Sequence, residues 1–359
     1  MAAGHEVLFA TPAKAVAAVA AAGVPVAAAG DPDTGPAEVL REFPEVASLE
    51  PEARPELVFA KLFGRLVAPP MLEALEPIAA GHGAELVIAD AAAFAAPIVA
   101  ARLGVPCVSK GFGPALPEAR VARAGDEVAP LWEARGLEPR PYGGIYDTLF
   151  LDVYPPALDR PPGPHVAHVQ AMRQDAFDGD APAAVPSPTD RGDRPLVYLT
   201  MGTVFADTEP MRIALDALAG LDVRVLATVG SGIDPEDLGP QPAHVRVERF
   251  LAQTAVLPRC ALVVSHGGSG TTLAAAALGL PQLCLPQGAD QFLNADALSG
   301  AGAGLSLTPG QADGEAIGNA AARLLAEPSF TTAARTVAAS IAAMPPPAEL
   351  IPLLEGLTP

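Results

Sequence analysis

The chain is short of basic residues, aromatics and cysteine, and each shortage removes a class of function. Lys and Arg together number 22 against 41 Asp and Glu, for a formal charge of −19. Nucleic acids and anionic membranes are bound through clustered Lys and Arg, so this balance argues against both. It leaves room for a local phosphate site, because backbone N–H groups at a helix start bind an anion without side-chain charge. The three cysteines, Cys107, Cys260 and Cys284, lie far apart beside hydrophobic runs and form no C-x-x-C pair. A zinc site is therefore disfavoured, and buried, reduced thiols in a reducing cytoplasm are expected. No strongly apolar run reaches the roughly 20 residues that span a membrane. The alanine-rich stretch 14–30 has small residues like those of a signal peptide. It is interrupted by Gly23 and Pro25, however, and follows "GHEVLFATP", which reads as a strand.

What is present points to an α/β protein. At 359 residues, half of them hydrophobic, the chain is long enough for two domains with separate cores. Forty prolines and 34 glycines are spread along the sequence, so they act as punctuation between elements. Short apolar runs at 6–10, 24–28, 84–90 and 105–109 read as strands, with helical spacing around 71–80 and 93–103. The stretch 172–195, rich in Asp and Pro, is the expected linker. The alternation resumes with strands at 196–202, 223–230, 244–250, 261–266 and 281–286 and helices near 208–219, from 269 and from about 290. Two doubly wound domains, 1–171 and 196–345, follow, with a C-terminal helix over 346–359 expected to pack back on the first.

The stretch "VVSHGGSGTTL" (263–273) carries the chemistry. "ALVV" suits a central parallel strand buried on both faces. The glycines permit a tight turn into a helix whose first N–H groups have no partner inside it. Gly267, Gly268 and Gly270 keep side chains away, while Ser269, Thr271 and Thr272 add hydroxyls. That is an anion site suited to phosphate; a plain glycine turn with a surface histidine fits the spacing equally well. The glycines match neither the P-loop nor the dinucleotide fingerprint, which disfavours kinases and ordinary dehydrogenases.

"HGGSGTT" followed by "GLPQLCLPQGADQ" resembles the donor signature of the family 1, GT-B-fold glycosyltransferases, especially the bacterial enzymes that decorate natural products. "VERFLAQTAVL" (247–257) is similar to that family's base-holding segment, and "VYLTMGT" (197–203) to the first strand of its donor domain. The resemblance implies a GT-B fold: two Rossmann-like domains facing each other across a cleft, with the acceptor bound by 1–171 and the donor by 196–345. It implies transfer of a sugar with inversion, without a metal or resident cofactor, the nucleoside diphosphate sugar being a co-substrate. Phe250 matches the aromatic that stacks on the base, though a core Phe at a strand end fits that position too. Leu251 offers backbone groups to the base edge and Gln253 contacts the ribose. Thr203, His266 and the N–H groups of Ser269, Gly270 and Thr271 hold the diphosphate. Asp290 and Gln291 hydrogen-bond hydroxyls of the transferred sugar; apart from the resemblance, Asp290 reads as a helix cap. The partners implied are a small-molecule donor and a lipophilic acceptor, with neither nucleic acid nor membrane, for a monomer or homodimer.

Two departures bear on substrate and activity. Where many relatives carry a ribose-gripping glutamate this chain has Ala274, so a TDP-linked sugar, such as a deoxysugar, is expected. The family's base histidine lies after a first strand that relatives carry ahead of "AAGHEVLFATP". None of His5, His82, His165 and His168 has its context. Asp90, in "LVIADAAAFAA", matches the aspartate that orients the base; a helix N-cap is the alternative for it. The expected consequence is a slot in the first sheet and a chain that is weakly active or inactive as given, either through a start site placed too late or through degradation of the enzyme. A non-catalytic nucleotide-sugar-binding partner and a nucleotide-sugar epimerase are the competing functions. Phe59, Phe63, Phe94, Phe112, Trp132, Tyr142 and Tyr146 are the aromatics available to line an acceptor pocket.

Overall fold

A computed structural model of the chain describes residues 3–31, 34–49, 54–175, 193–202, 208–230 and 233–358. They fall into two compact units, 1–153 with 161–172 and 345–359, and 154–160 with 173–344. Most of the expected linker, and Thr203, lie outside the described residues.

The first unit runs β1 (Phe9–Thr11), α1 (Ala13–Ala21), β2 (Val26–Ala28), α2 (Pro36–Glu42), α3 (Arg54–Phe59), a π-helical stretch Ala60–Val67 and α4 (Ala68–His82). It continues with β3 (Val87–Asp90), α5 (Ala95–Leu103), β4 (Cys107–Lys110), α6 (Glu118–Glu133), β5 (Leu149–Asp152) and β6 (Val169–Ala171). Strands β3-β4-β5-β6 form one parallel sheet in that order, and β1-β2 form a separate parallel pair. Both sets have apolar side chains that a parallel sheet ordinarily buries: Phe9 is 49% exposed and Ile88 is 50% exposed. Strands β5 and β6 were not expected from the sequence. The core is built from Phe59, Phe94, Ile98, Trp132, Tyr146 and Phe150, so four of the seven aromatics available for an acceptor pocket are core residues instead. The C-terminal stretch belongs to this unit, with His5 Nε2 2.9 Å from Glu355 Oε1. It is not one helix: a 3-10 turn over Pro347–Leu350 precedes a five-residue helix, Ile351–Glu355.

The second unit contains β7 (Leu196–Thr200), α7 (Thr208–Ala219), β8 (Arg224–Thr228), β9 (Val245–Glu248), α8 (Gln253–Val256), β10 (Leu262–Ser265), α9 (Ser269–Ala277), β11 (Gln282–Cys284) and α10 (Gln291–Gly300). β12 (Gly304–Ser306), α11 (Gly314–Ala326) and α12 (Pro328–Ala342) complete it. Its six strands are all parallel, in the order β12-β11-β10-β7-β8-β9. Counted from β7, this is the doubly wound dinucleotide-type order 6-5-4-1-2-3. The central strands β7 and β10 are buried at every position, as a sheet covered by helices on both faces requires. Residues 154–160, placed by the sequence in the first domain, pack with this unit. Tyr154 donates to Asn294 at 3.1 Å, and the Ala157 N–H donates to the Ser340 hydroxyl at 3.2 Å.

One stretch, Pro328–Glu355, has the length and a mean hydropathy of 1.4 that would suit a membrane span, which the sequence reading did not flag. It is interrupted after α12, whose 15 residues reach only about 22 Å, short of the ~30 Å hydrocarbon layer. All three cysteines are unpaired and buried, and burial pushes each thiol up to about 12.

Candidate functional site

In a doubly wound sheet, ligands bind beyond the carboxyl ends of the strands, at the point where the strand order reverses. Here that point lies between β7 and β10, and Ser265 pairs in register with Thr200. The two following turns, Thr200–Gly202 and Ser265–Gly268, therefore emerge side by side. Buried hydroxyls tie the strand ends together. Thr228 donates to Thr200 at 3.1 Å and is bonded to the Tyr198 hydroxyl at 2.7 Å. The Gly202 N–H donates to the Thr200 hydroxyl at 3.3 Å, and the Gly267 N–H to the Ser265 hydroxyl at 3.1 Å.

His266 occupies the space between these turns. A Cβ placed on Gly202 would lie 2.7 Å from its Cε1 and 2.8 Å from its Nε2, and a Cβ on Gly268 would collide with the same ring. Both turns therefore require glycine, and Gly202 (φ +75°) and Gly267 (φ +83°) also sit in the left-handed region. Burial pushes the His266 pKa down from its ordinary value, opposed by the Asp290 charge and a hydrogen bond with the Thr200 backbone. Its Nδ1 is buried and has no partner among the described residues. Burial thus favours the neutral imidazole, held beside the start of α9.

Helix α9 begins at Ser269 with Gly268 as its N-cap and no side-chain cap on it. Its first helical hydrogen bond runs from the Thr272 N–H to the Gly268 carbonyl at 3.0 Å. The N–H groups of Gly270 and Thr271 come before that bond and face outward from the helix start. The Ser269 N–H, expected to hold phosphate, donates instead to Asp290 Oδ2 at 3.3 Å, and the Ser269 hydroxyl donates to the same oxygen at 2.5 Å. Asp290 precedes α10 without capping it by a side-chain hydrogen bond. It follows Ala289, a non-glycine residue at φ +55°, and backbone held there is strained, as at many ligand sites. Gln291 is buried, and its Oε1 accepts from the N–H groups of Gln287 (2.6 Å) and Gly288 (3.0 Å). Its carbonyl oxygen therefore shapes the loop.

At the β9 edge Phe250 is 63% exposed, so it is no core residue. Leu251 packs partly against the cluster around Tyr198 and Val256. Gln253 opens α8 and donates to the Thr271 hydroxyl at 3.0 Å, linking the two helix starts. Ala274 is partly buried against the same apolar cluster.

Asp90 ends β3 in the first unit, in register with Lys110 at the end of β4. Its Oδ1 accepts from the Ala92 N–H at 2.9 Å. It therefore caps a turn and not α5, whose N-cap is Phe94. Burial raises the Asp90 pKa and lowers that of Lys110, each charge partly relieving the other.

These features define a Rossmann-like second unit whose glycine turns and helix start meet at the switch point. Residues 212–357 match the sequence profile of the erythromycin biosynthesis protein CIII-like C-terminal domain. The chain is 34% identical to the elloramycin glycosyltransferase ElmGT of Streptomyces olivaceus, over 82% of this chain and 72% of that one. It is also 34% identical to the L-demethylnoviosyl transferase of Streptomyces niveus, over 85% and 78%. Among solved structures, spinosyn rhamnosyltransferase SpnG complexed with thymidine diphosphate is 27% identical, with a TM-score of 0.80 over 99% of this chain and 93% of that one. The same enzyme with spinosyn aglycone gives 28% and 0.81. The chain belongs to the GT-B glycosyltransferases of antibiotic and natural-product biosynthesis.

Three residues of the site escaped sequence reasoning. Gly202 meets His266, and Tyr154 meets Asn294, only through the fold, while Asn294 lies one helical turn from Asp290. The "GT" after β7 was a signal for the first; nothing local distinguishes the other two.

Proposed function

We propose that the protein transfers a sugar from a TDP-sugar, with inversion and without a metal, to a hydroxyl of a lipophilic acceptor. The observation that carries this reading is the convergence of His266, Gly202, Gly268 and the open start of α9 at the switch point. The His266 imidazole and the N–H groups of Gly270 and Thr271 suit a diphosphate, whose charge increases as the sugar leaves. Phe250 gives an exposed ring for the thymine to stack on. The backbone of Leu251 would serve the base edge and Gln253 the ribose. Asp290 and the Gln291 amide take sugar hydroxyls.

The acceptor oxygen attacks C1 of the sugar, the bond from C1 to the diphosphate oxygen breaks, and TDP departs. The acceptor's proton must leave to a general base, and Asp90 is the residue that would orient one. Ala274 in place of a ribose-gripping carboxylate favours a donor lacking the 2′-hydroxyl. The solved complex of SpnG with thymidine diphosphate supports that choice, and its complex with spinosyn aglycone supports an apolar acceptor. Three buried, unpaired thiols suit a reducing cytoplasm.

The test is incubation with TDP-glucose and a panel of hydroxylated polyketide aglycones, read by mass spectrometry. Gain of a hexose on an acceptor together with TDP release supports transfer. Donor binding without transfer to any acceptor would keep the nucleotide-sugar site and remove the transfer step, and absence of donor binding would overturn the site.

A further inference from the structure

Asn294, on the second turn of α10, is fully buried at 0% exposure, yet all its hydrogen-bonding capacity is directed at the site. Its Nδ2 donates to the Gly267 carbonyl (2.9 Å), the Ser269 hydroxyl (2.9 Å) and Asp290 Oδ2 (3.2 Å). Its Oδ1 accepts from the Tyr154 hydroxyl at 3.1 Å. Tyr154, itself buried, comes from the segment 154–160, distant in sequence.

The chemistry of these groups allows one arrangement only. A tyrosine hydroxyl donates readily to an amide oxygen, and an amide nitrogen donates to carbonyls and carboxylates. Rotating the amide by half a turn would set its oxygen against the Asp290 carboxylate and the Gly267 carbonyl, leaving buried acceptors facing acceptors. The Gly267 carbonyl and the Asp290 carboxylate, which only accept, therefore set the orientation in which Asn294 gives them its N–H groups, and Tyr154 donates to the oxygen that remains.

Asp290 Oδ2 then receives three donors: the Ser269 N–H, the Ser269 hydroxyl and Asn294. The second oxygen, Oδ1, takes no hydrogen bond among the described residues. One oxygen is anchored and the other is presented. We infer that Asn294 and Tyr154 are a positioning pair that fixes the Asp290 carboxylate for the transferred sugar. This rests on the donor-site reading above and adds to it two residues that never touch the donor.

The experiment compares TDP with TDP-glucose by calorimetry on the whole protein. Tyr154→Phe keeps the ring and removes the donor. Its TDP-glucose affinity is expected to fall about five- to tenfold while TDP affinity changes less than about twofold. Circular dichroism melts confirm that the variant is folded, and Asn294→Ala should give the same discrimination more strongly. A second readout is the cycle with Asp290→Asn: if Tyr154 acts through Asp290, the two losses are strongly non-additive. Equal weakening of both ligands, no weakening of either, or additive losses would each overturn the inference while leaving the donor site intact. If the wild-type protein binds neither nucleotide, the donor-site reading itself fails and the inference with it.

Discussion

Gly202 and His266 are in mutual contact across the β7–β10 switch point: the imidazole fills the volume that any side chain at 202 would need. A Cβ there would stand 2.7 Å from Cε1, on a backbone at φ +75°. Gly202→Ala should therefore do two things. The left-handed backbone costs roughly 1–2 kcal/mol of stability, and the displaced ring weakens TDP binding. Thermal melts and calorimetry on one preparation measure both; a variant with wild-type melting and wild-type affinity would refute the contact.

His266 is the phosphate-facing side chain, and His266→Ala should weaken TDP binding by roughly 1–3 kcal/mol. The sign of its pH dependence follows from burial. Without ligand the pKa is pushed below its ordinary value, which favours the neutral ring. A bound diphosphate raises that pKa, and binding then takes up a proton. Wild-type affinity should accordingly tighten relative to His266→Ala as pH falls from about 8 to about 6, by at most ~tenfold per unit for one proton. A constant ratio across that range would show that the imidazole stays neutral when TDP binds.

Phe250, just beyond β9, stands 63% exposed and outside the core. Phe250→Ala should lower TDP affinity by roughly 1–3 kcal/mol, the range for stacking of a base on an aromatic. Melting should shift little, since substitution at an exposed position rarely changes stability by more than about 0.5 kcal/mol. Loss of stability with unchanged affinity is the outcome that would remove Phe250 from the site.

Ala274 bears on the choice of base and sugar. Titrations with TDP and UDP should show TDP at least as tight, because no carboxylate at 274 grips a ribose 2′-hydroxyl. Clearly tighter UDP binding would reject the thymidine donor.

Asp90 is predicted to act on the acceptor side alone. Asp90→Asn should reduce turnover by roughly 100-fold, the lower range for an acid–base contribution, with TDP affinity unchanged in calorimetry. Unchanged turnover would return Asp90 to the role its hydrogen bond to Ala92 already gives it, the cap of a turn.

The sequence alone determined most of the second unit. Its strands carry apolar runs long enough to be buried on both faces, and its turns carry glycines whose conformations few other residues adopt. Helix α9 begins at Ser269 because "HGGS" can turn sharply and "TTLAAAA" can propagate a helix; both are local properties. The first unit was less legible: β6 is three residues without an apolar run, held by β5 beside it, although β5 itself lies in the buried apolar run 149–154. The same limit applied within the site. That Asp290 Oδ2 takes the Ser269 N–H, that Gln291 turns its oxygen to its own loop, and that Tyr154 reaches Asn294 from 140 residues away depend on how strands stack and where chain segments return. Periodicity reports what one element buries and says nothing of which distant polar group meets it. Hydrogen-bond partners across elements are settled only when the sheet order brings their ends together.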